Sequence, residues 1–148
     1  MLFRRRLILS FAAFVAAPEA LAQSVPRRIQ ASNGRVRAAV PGAFKTSAFL
    51  TVTNPTDEDD ALVKVFCPWA EKASFQRTVW KGLNASQVIL SEVPLPAHST
   101  VEFTAGHDEI RLNRTTRAFK VGMKVPLELR FKRSVMLTTE LEVFNRLL

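Results

Sequence analysis

The sequence is poor in the side chains that most often hold metals or cross-link small domains. It contains one cysteine, two histidines and three methionines in 148 residues. The single cysteine, Cys67, cannot form an internal disulfide, and its apolar neighbours in "LVKVFCPWA" indicate a core residue rather than a reactive thiol. No G-x-S-x-G, Gly-rich phosphate loop or Cys-x-x-Cys motif is present. We therefore do not expect an enzyme.

Long apolar segments are also missing. The apolar run "LILSFAAFVAA", at 7–17, is too short for a relaxed membrane span. It follows three arginines at 4–6 and precedes Ala20-Leu21-Ala22, which fits the small-x-small cleavage rule of secretory signal peptides. This pattern predicts a signal peptide over 1–22 and a periplasmic protein. An uncleaved leader would instead anchor the protein to the membrane.

The balance of charge is basic, with 21 Lys and Arg against 13 Asp and Glu and a formal net charge of +8. Export argues against nucleic acid as a partner. A positive field favours acidic protein surfaces or anionic lipid headgroups, so peripheral contact with an anionic membrane surface is one expectation. A well-solvated basic surface that binds nothing is equally expected.

After a flexible lead-in at 23–34, the chain is a series of short alternating runs separated by turn residues. No segment sustains an amphipathic helical pattern, and we find no internal repeat. Such spacing is typical of a sandwich or barrel. We predict one all-β domain over 35–148, an antiparallel two-sheet β-sandwich of Greek-key, cupredoxin- or Ig-like type. Its nine or so strands are expected at 35–40, 47–54, 61–67, 72–80, 86–93, 100–104, 109–113, 125–131 and 135–144.

Two long segments resemble the periplasmic copper chaperone family called PCuAC. "SAFLTVTNPTDEDDALVKVFCPWAEKASF" is similar to its front half, with an A-x-x-T-x-x-N strand, and the segment from "VPLPAHSTVEF" onward is similar to its back half. "KVGMKVPLELRF" is the most specific part, and the resemblance covers most of 35–144. It implies a β-sandwich that carries Cu(I) to a copper enzyme such as a terminal oxidase.

The resemblance also implies where the family's copper ligands, spaced H-x10-M-x21-H-x-M, fall in this chain. The positions are occupied by Gln76, Gln87, Glu109 and Arg111. Imidazole and thioether suit Cu(I), whereas an arginine has no lone pair to donate and is always charged. We therefore expect a divergent member with no metal at the family position and no other cofactor. The soft donors left for a substitute site are His107, Met123 and His98.

Three interpretations of these four residues remain open. Residues Glu109 and Arg111 alternate with Ile110 and Leu112, so they share one strand face. The favoured interpretation is an ordinary solvent-facing strand, on which an exposed ion pair contributes about 0–1 kcal/mol. The second is a Glu109–Arg111 pair, or contacts of these residues with Gln76 and Gln87. The third is a face that binds a protein partner.

For function, the first hypothesis is an exported binding or assembly protein that has lost the family's copper site. It would contact a periplasmic or membrane protein complex, such as a respiratory or photosynthetic one. The alternative is a periplasmic Cu(I) chaperone that delivers copper to a respiratory enzyme through a rearranged site. The residues expected on the partner surface are Trp69, Phe75, Arg77, Trp80, Arg111, Arg114 and Arg117.

Overall fold

Ten β-strands and no helix make up residues 27–145, the part of the chain that the computed structural model describes. With no helix in this range, none is present that could cross a membrane. The predicted signal peptide at 1–22 lies outside the described residues. The strands are β1 Gln30–Arg37, β2 Lys45–Asn54, β3 Asp60–Phe66, β4 Ala70–Lys81, β5 Asn84–Leu90, β6 Val93–Leu95, β7 Ser99–Glu102, β8 Asp108–Thr115, β9 Lys124–Phe131 and β10 Leu137–Phe144.

Hydrogen bonds connect the strands in the order β5-β4-β8-β2-β1-β10-β9-β3-β6, and β7 also pairs with β2. Strands β3 and β4 contact each other although they are far apart in this order. The strand array therefore folds over on itself around one core, and the predicted all-β sandwich class is confirmed. One pair, β1 with β10, is parallel. A parallel pair needs a long connection, and here the rest of the domain supplies it.

Alternation along the strands separates the core from the outer face. In β2, Ala48, Leu50 and Val52 are buried in the core. Strand β8 is buried on both faces, because every residue from Glu109 to Leu112 is buried. Successive strand side chains point to opposite faces, so Ile110 and Leu112 enter the core. Glu109 and Arg111 consequently lie on the outer face.

The first strand begins earlier than the sequence predicted. Strand β1 starts at Gln30, and Ile29 is buried in the core, so the lead-in predicted at 23–34 is ordered strand from Gln30 onward. Gly34 explains how β1 passes so close to β10. A Cβ at this glycine would lie 2.6 Å from the backbone oxygen of Glu140, which no larger residue tolerates without a shift.

The structure has one strand more than the nine or so predicted. This additional strand, β6, lies where the sequence predicted a turn after 86–93. Its central residue is Pro94, which pairs opposite Ala61 of β3. Proline cannot donate a ladder hydrogen bond and is confined to edge strands. Because β6 is the last strand in the sheet order, Pro94 is compatible with the pairing.

Candidate functional site

The four positions that the resemblance aligns with the family's copper ligands lie on three neighbouring strands. Gln76 of β4 is directly opposite Glu109 of β8. Gln87 comes from β5, which pairs with the other edge of β4. Arg111 lies two residues after Glu109 on the same face. We call these four residues the outer cluster: Gln76, Gln87, Glu109 and Arg111.

Three members of the outer cluster are joined directly by hydrogen bonds. Arg111 donates from Nη2 to Gln87 Oε1 at 2.6 Å and also to Glu109 Oε1. Gln87 Nε2 donates to the same Glu109 oxygen at 3.2 Å. Gln76 instead donates from Nε2 to Ser74 Oγ at 3.2 Å. The structure thus brings all four residues to one place, with Arg111 bound to two of the others.

The charged members of the cluster are buried. The side chains of Arg111 and Glu109 are 9% and 7% exposed. The favoured expectation of solvent-facing residues is therefore wrong for these two positions. Both cross-strand neighbours of Arg111 are serines, Ser47 and Ser74, whose small side chains leave room for the guanidinium. The arrangement that the structure shows is the second interpretation, an ion pair with contacts to a glutamine.

The electrostatics of the cluster oppose binding of a cation. A guanidinium has no lone pair, and its positive charge occupies the face that would receive a metal. Removing one partner of a buried ion pair costs about 3–5 kcal/mol, because the other charge stays buried without a counterion. Arg111 and Glu109 therefore each depend on the other. The Nε of Arg111 is buried and has no hydrogen-bond partner among the described residues.

The soft donors expected at a substitute site are not brought together. His98 precedes β7, is exposed, and contacts Asp57 with Nε2 and Oδ1 2.6 Å apart. His107 follows β7, next to the Asp108 end of β8. Met123 belongs to the turn between Phe119 and β9. This turn lies near the other end of β8, at Thr115. Eight strand residues span about 25 Å, so His107 and Met123 are too far apart to share an ion.

No other cluster of metal-binding type is found between residues 27 and 145. In this range no three His, Cys, Asp or Glu side chains are grouped so that they could hold a metal ion. Cys67, predicted to be a core residue, is 1% exposed. Burial raises the pKa of its thiol, which keeps it protonated and unreactive.

Two of the residues expected on a partner surface are not available to a partner. Phe75 is 3% exposed and stacks on Phe103 in the core, with ring centroids 5.7 Å apart. Arg111 is held inside the outer cluster. Both predictions are wrong. Phe75 points from β4 into the core, and Arg111 is buried on the outer face of β8, where it contacts Gln87 and Glu109.

The remaining expected contact residues are accessible. Arg77 binds both carboxylate oxygens of Asp108, at 2.8 and 2.9 Å, and this hydrogen bonding together with the negative charge raises the pKa of Arg77. Trp69 is half-buried, and the guanidinium carbon of Arg117 lies 4.3 Å from its ring centroid. Trp80 is 60% exposed. Arg114 is exposed and lies 3.5 Å from a carboxylate oxygen of Glu71.

Phe44 is an exposed apolar residue that the sequence analysis did not identify. Phe44 is 71% exposed, and its backbone oxygen accepts a hydrogen bond from the backbone N–H of Arg114 at 3.2 Å. It lies between two predicted strands, in "PGAFKT", where no periodic pattern marks it. Together with nearby basic residues it forms a surface at the Thr115 end of β8. We call this surface the basic end: Phe44, Trp69, Arg114, Arg117 and Lys120.

Comparisons with known proteins agree with this fold. A family model described as "Putative lipoprotein LpqE-like" matches residues 29–143. A comparison with curated protein sequences found no significant match. The predicted resemblance to PCuAC domains is confirmed in fold by the solved structures described next.

Two solved structures illustrate the similarity. The "Copper-bound PCuAC domain from PmoF2" is 20% identical with a TM-score of 0.67, and the match covers 79% of this chain and 92% of that one. The "Solution structure of CuI-DR1885 from Deinococcus Radiodurans" is 28% identical with a TM-score of 0.62, covering 86% of this chain and 85% of that one. At 20% identity the first match shows the fold alone.

Proposed function

The chain belongs to the LpqE-like family of putative lipoproteins, and from that membership we propose that it is an exported binding protein that does not carry copper at the family position. Its role is to contact a periplasmic or membrane protein complex during assembly or function. The observation that carries this proposal is Arg111. A buried guanidinium paired with Glu109 stands at one of the positions aligned with a copper ligand.

Two features support export. The first is the leader pattern at 1–22, and the second is the family description as lipoproteins. A lipid attached through a thiol is not expected at Cys67, the single cysteine of the sequence, because that residue is 1% exposed in the folded domain.

The basic end is the surface that best fits a protein partner. It combines exposed cations with two aromatic rings, one of which, Phe44, is 71% exposed. Aromatic residues and arginine are enriched in protein interfaces, and a local positive field speeds association with an acidic surface. The expected partner is therefore a protein complex that presents acidic residues.

A copper chaperone with a rearranged site is the second candidate function. It is favoured by one observation, that the similar structure from Deinococcus radiodurans is described as a Cu(I) form. Against it stands the separation of His107 from Met123 along the length of β8. Copper delivery would need donors that converge, and no three His, Cys, Asp or Glu side chains do so between residues 27 and 145.

The test of partner binding is a pull-down from solubilised membranes with the mature protein as bait. The variant Arg114→Glu/Arg117→Glu reverses two charges of the basic end and should lose the captured complex. The matched control, Lys64→Glu/Lys132→Glu, makes the same charge change on exposed residues of β3 and the turn after β9, and should retain it. Equal capture by both variants would reject the basic end as the contact surface.

A further inference from the structure

The hairpin formed by β4 and β5 projects beyond the rest of the sheet. The last residue of β4 that pairs with β8 is Arg77, opposite Asp108. From Val79 to Ser86 the two strands pair only with each other. At about 3.3 Å per residue, the three strand residues beyond Thr78 extend the hairpin by about 10 Å. We call residues 79–86 the hairpin tip.

Large apolar side chains occupy the tip and the edge strand behind it. Leu83, in the turn, is 99% exposed, and Trp80 is 60% exposed. Behind them Ile89 is 69% and Val88 46% exposed. Residues directly opposite in an antiparallel pair share a face, so Ile89 lies on the face of Gln76 and Val88 lies on the face of Arg77. The hairpin is thus apolar at its end and on both faces.

The charged side chains that the hairpin itself carries have one sign. Residues 76–91 include two cations, Arg77 and Lys81, and no aspartate or glutamate. The carboxylate of Asp108, opposite Arg77 on β8, is 20% exposed and is bound to Arg77. Strand β5 carries no charged residue, although exposed edge strands are usually protected by charges. Lys81 lies between Trp80 and Leu83 in the sequence, and no ion pair of Lys81 is found among residues 27–145.

From these observations we infer that the hairpin tip docks the domain onto an anionic lipid surface. Leu83 and Trp80 enter the interfacial layer, where tryptophan is favoured because one end of its ring system is apolar and the other can donate a hydrogen bond. Lys81 remains at the level of the phosphate groups, while Arg77 stays paired with Asp108. The insertion is shallow, of the order of 5–10 Å, so the unpaired backbone of β5 stays in the hydrated headgroup region.

The pattern fits lipid better than it fits a second copy or another protein. A protein surface covers one face of a strand pair, whereas lipid surrounds a projecting tip and accepts apolar groups on both faces. Pairing two copies through β5 would place the Lys81 and Arg77 charges of one copy near those of the other. Docking at the tip also leaves the basic end free, because the two surfaces lie at opposite ends of β8.

The test uses the mature protein and sedimented vesicles of two compositions, pure phosphatidylcholine and an equal mixture of phosphatidylcholine and phosphatidylglycerol. The parent should bind the mixed vesicles, less strongly as salt is raised, and bind pure phosphatidylcholine weakly. Leu83→Glu should lower the partition coefficient by at least about tenfold, since burial of one leucine contributes about that factor. The matched control is Val135→Glu, which changes an 89% exposed apolar residue in the turn between β9 and β10 and should bind as the parent does.

Fluorescence supplies a readout at the tip itself. In a Trp69→Phe background, Trp80 is the one remaining tryptophan, and its emission should shift to shorter wavelength on mixed vesicles. Absence of vesicle binding by the parent would overturn the proposal. So would equal binding by the Leu83→Glu and Val135→Glu variants, an unchanged Trp80 emission on bound protein, or a parent dimer that Leu83→Glu dissociates.

Discussion

Arg111 and Glu109, two residues apart on β8, form an ion pair that is buried on the outer face of the sheet. Burial of two charges is costly, and their mutual attraction offsets that cost only when further hydrogen bonds complete the arrangement. Gln87 supplies two of these, one to each partner. The β4–β5 hairpin therefore supplies hydrogen bonds to a buried ion pair on β8.

Replacing Arg111 should destabilise the domain strongly. In Arg111→Met the carboxylate of Glu109 stays buried without its partner, which costs about 3–5 kcal/mol. Urea unfolding followed by circular dichroism measures the change. The double variant Arg111→Met/Glu109→Gln should recover much of the loss, and Arg114→Met, an exposed cation three residues away, should change stability by less than about 1 kcal/mol. Equal effects of Arg111→Met and Arg114→Met would show that the buried pair is not stabilising.

Asn54 is expected to be a second sensitive position. It is fully buried at the end of β2, and its Nδ2 donates to the backbone oxygens of Leu95 and Pro96 at 3.0 and 3.2 Å. Asn54→Ala leaves a buried carbonyl without a donor, at a cost of about 1–3 kcal/mol. Thermal unfolding checks this expectation, with Asn84→Ala on the exposed hairpin as control. A melting temperature that falls no further in Asn54→Ala than in the control would contradict it.

The stability of the domain should depend on Asp60 at acid pH. Burial acts to raise the pKa of this carboxyl, but hydrogen bonds from Ser134, Ala61 and Arg133 outweigh it and hold the pKa below its usual value. A carboxyl whose pKa is lowered by folding contributes stability above its unfolded pKa, about 3.9, and loses it as the pH falls through the folded value. Asp60→Asn should be less stable by about 1 kcal/mol near neutral pH and should lose less on acidification. Parallel unfolding curves of parent and variant from pH 7 to about pH 3 would reject this role.

Strand periodicity and the resemblance predicted much of the fold and the convergence of the outer cluster. The alternation of Glu109 and Arg111 with Ile110 and Leu112 assigned the faces correctly. It could not show that the outer face of β8 is covered, because what covers it is Gln87 from a hairpin whose orientation depends on pairing between strands distant in sequence.

The burial of Phe75 was only partly predictable from the sequence. Alternation separates Phe75 from Ser74 and Gln76, but the same face of β4 also carries Arg77. Period two alone therefore does not place the ring in the core. By contrast, nothing local to "VPL" predicts β6. Pro94 is acceptable there only because that strand is at the edge of the sheet, which is a property of the assembled fold.

The central claim is that the positions aligned with the family's copper ligands carry a polar cluster with a buried ion pair, and that they do not hold a metal. The chain offers a direct test, because the four residues lie together on neighbouring strands. In the quadruple variant Gln76→His, Gln87→Met, Glu109→His and Arg111→Met, imidazole and thioether groups suited to Cu(I) replace amides, a carboxylate and a guanidinium. Circular dichroism first establishes that the variant retains a β-type spectrum.

The deciding measurement is competition for Cu(I) between the mature protein and a Cu(I)-specific chelator, run side by side on the parent and the quadruple variant. We expect the parent to leave the copper with the chelator, and the folded variant to gain affinity by orders of magnitude and take up one equivalent. Tight binding of one equivalent by the parent would contradict the account and establish a rearranged copper site. A folded variant that still fails to compete would show that these four positions are not the counterparts of the family's ligands.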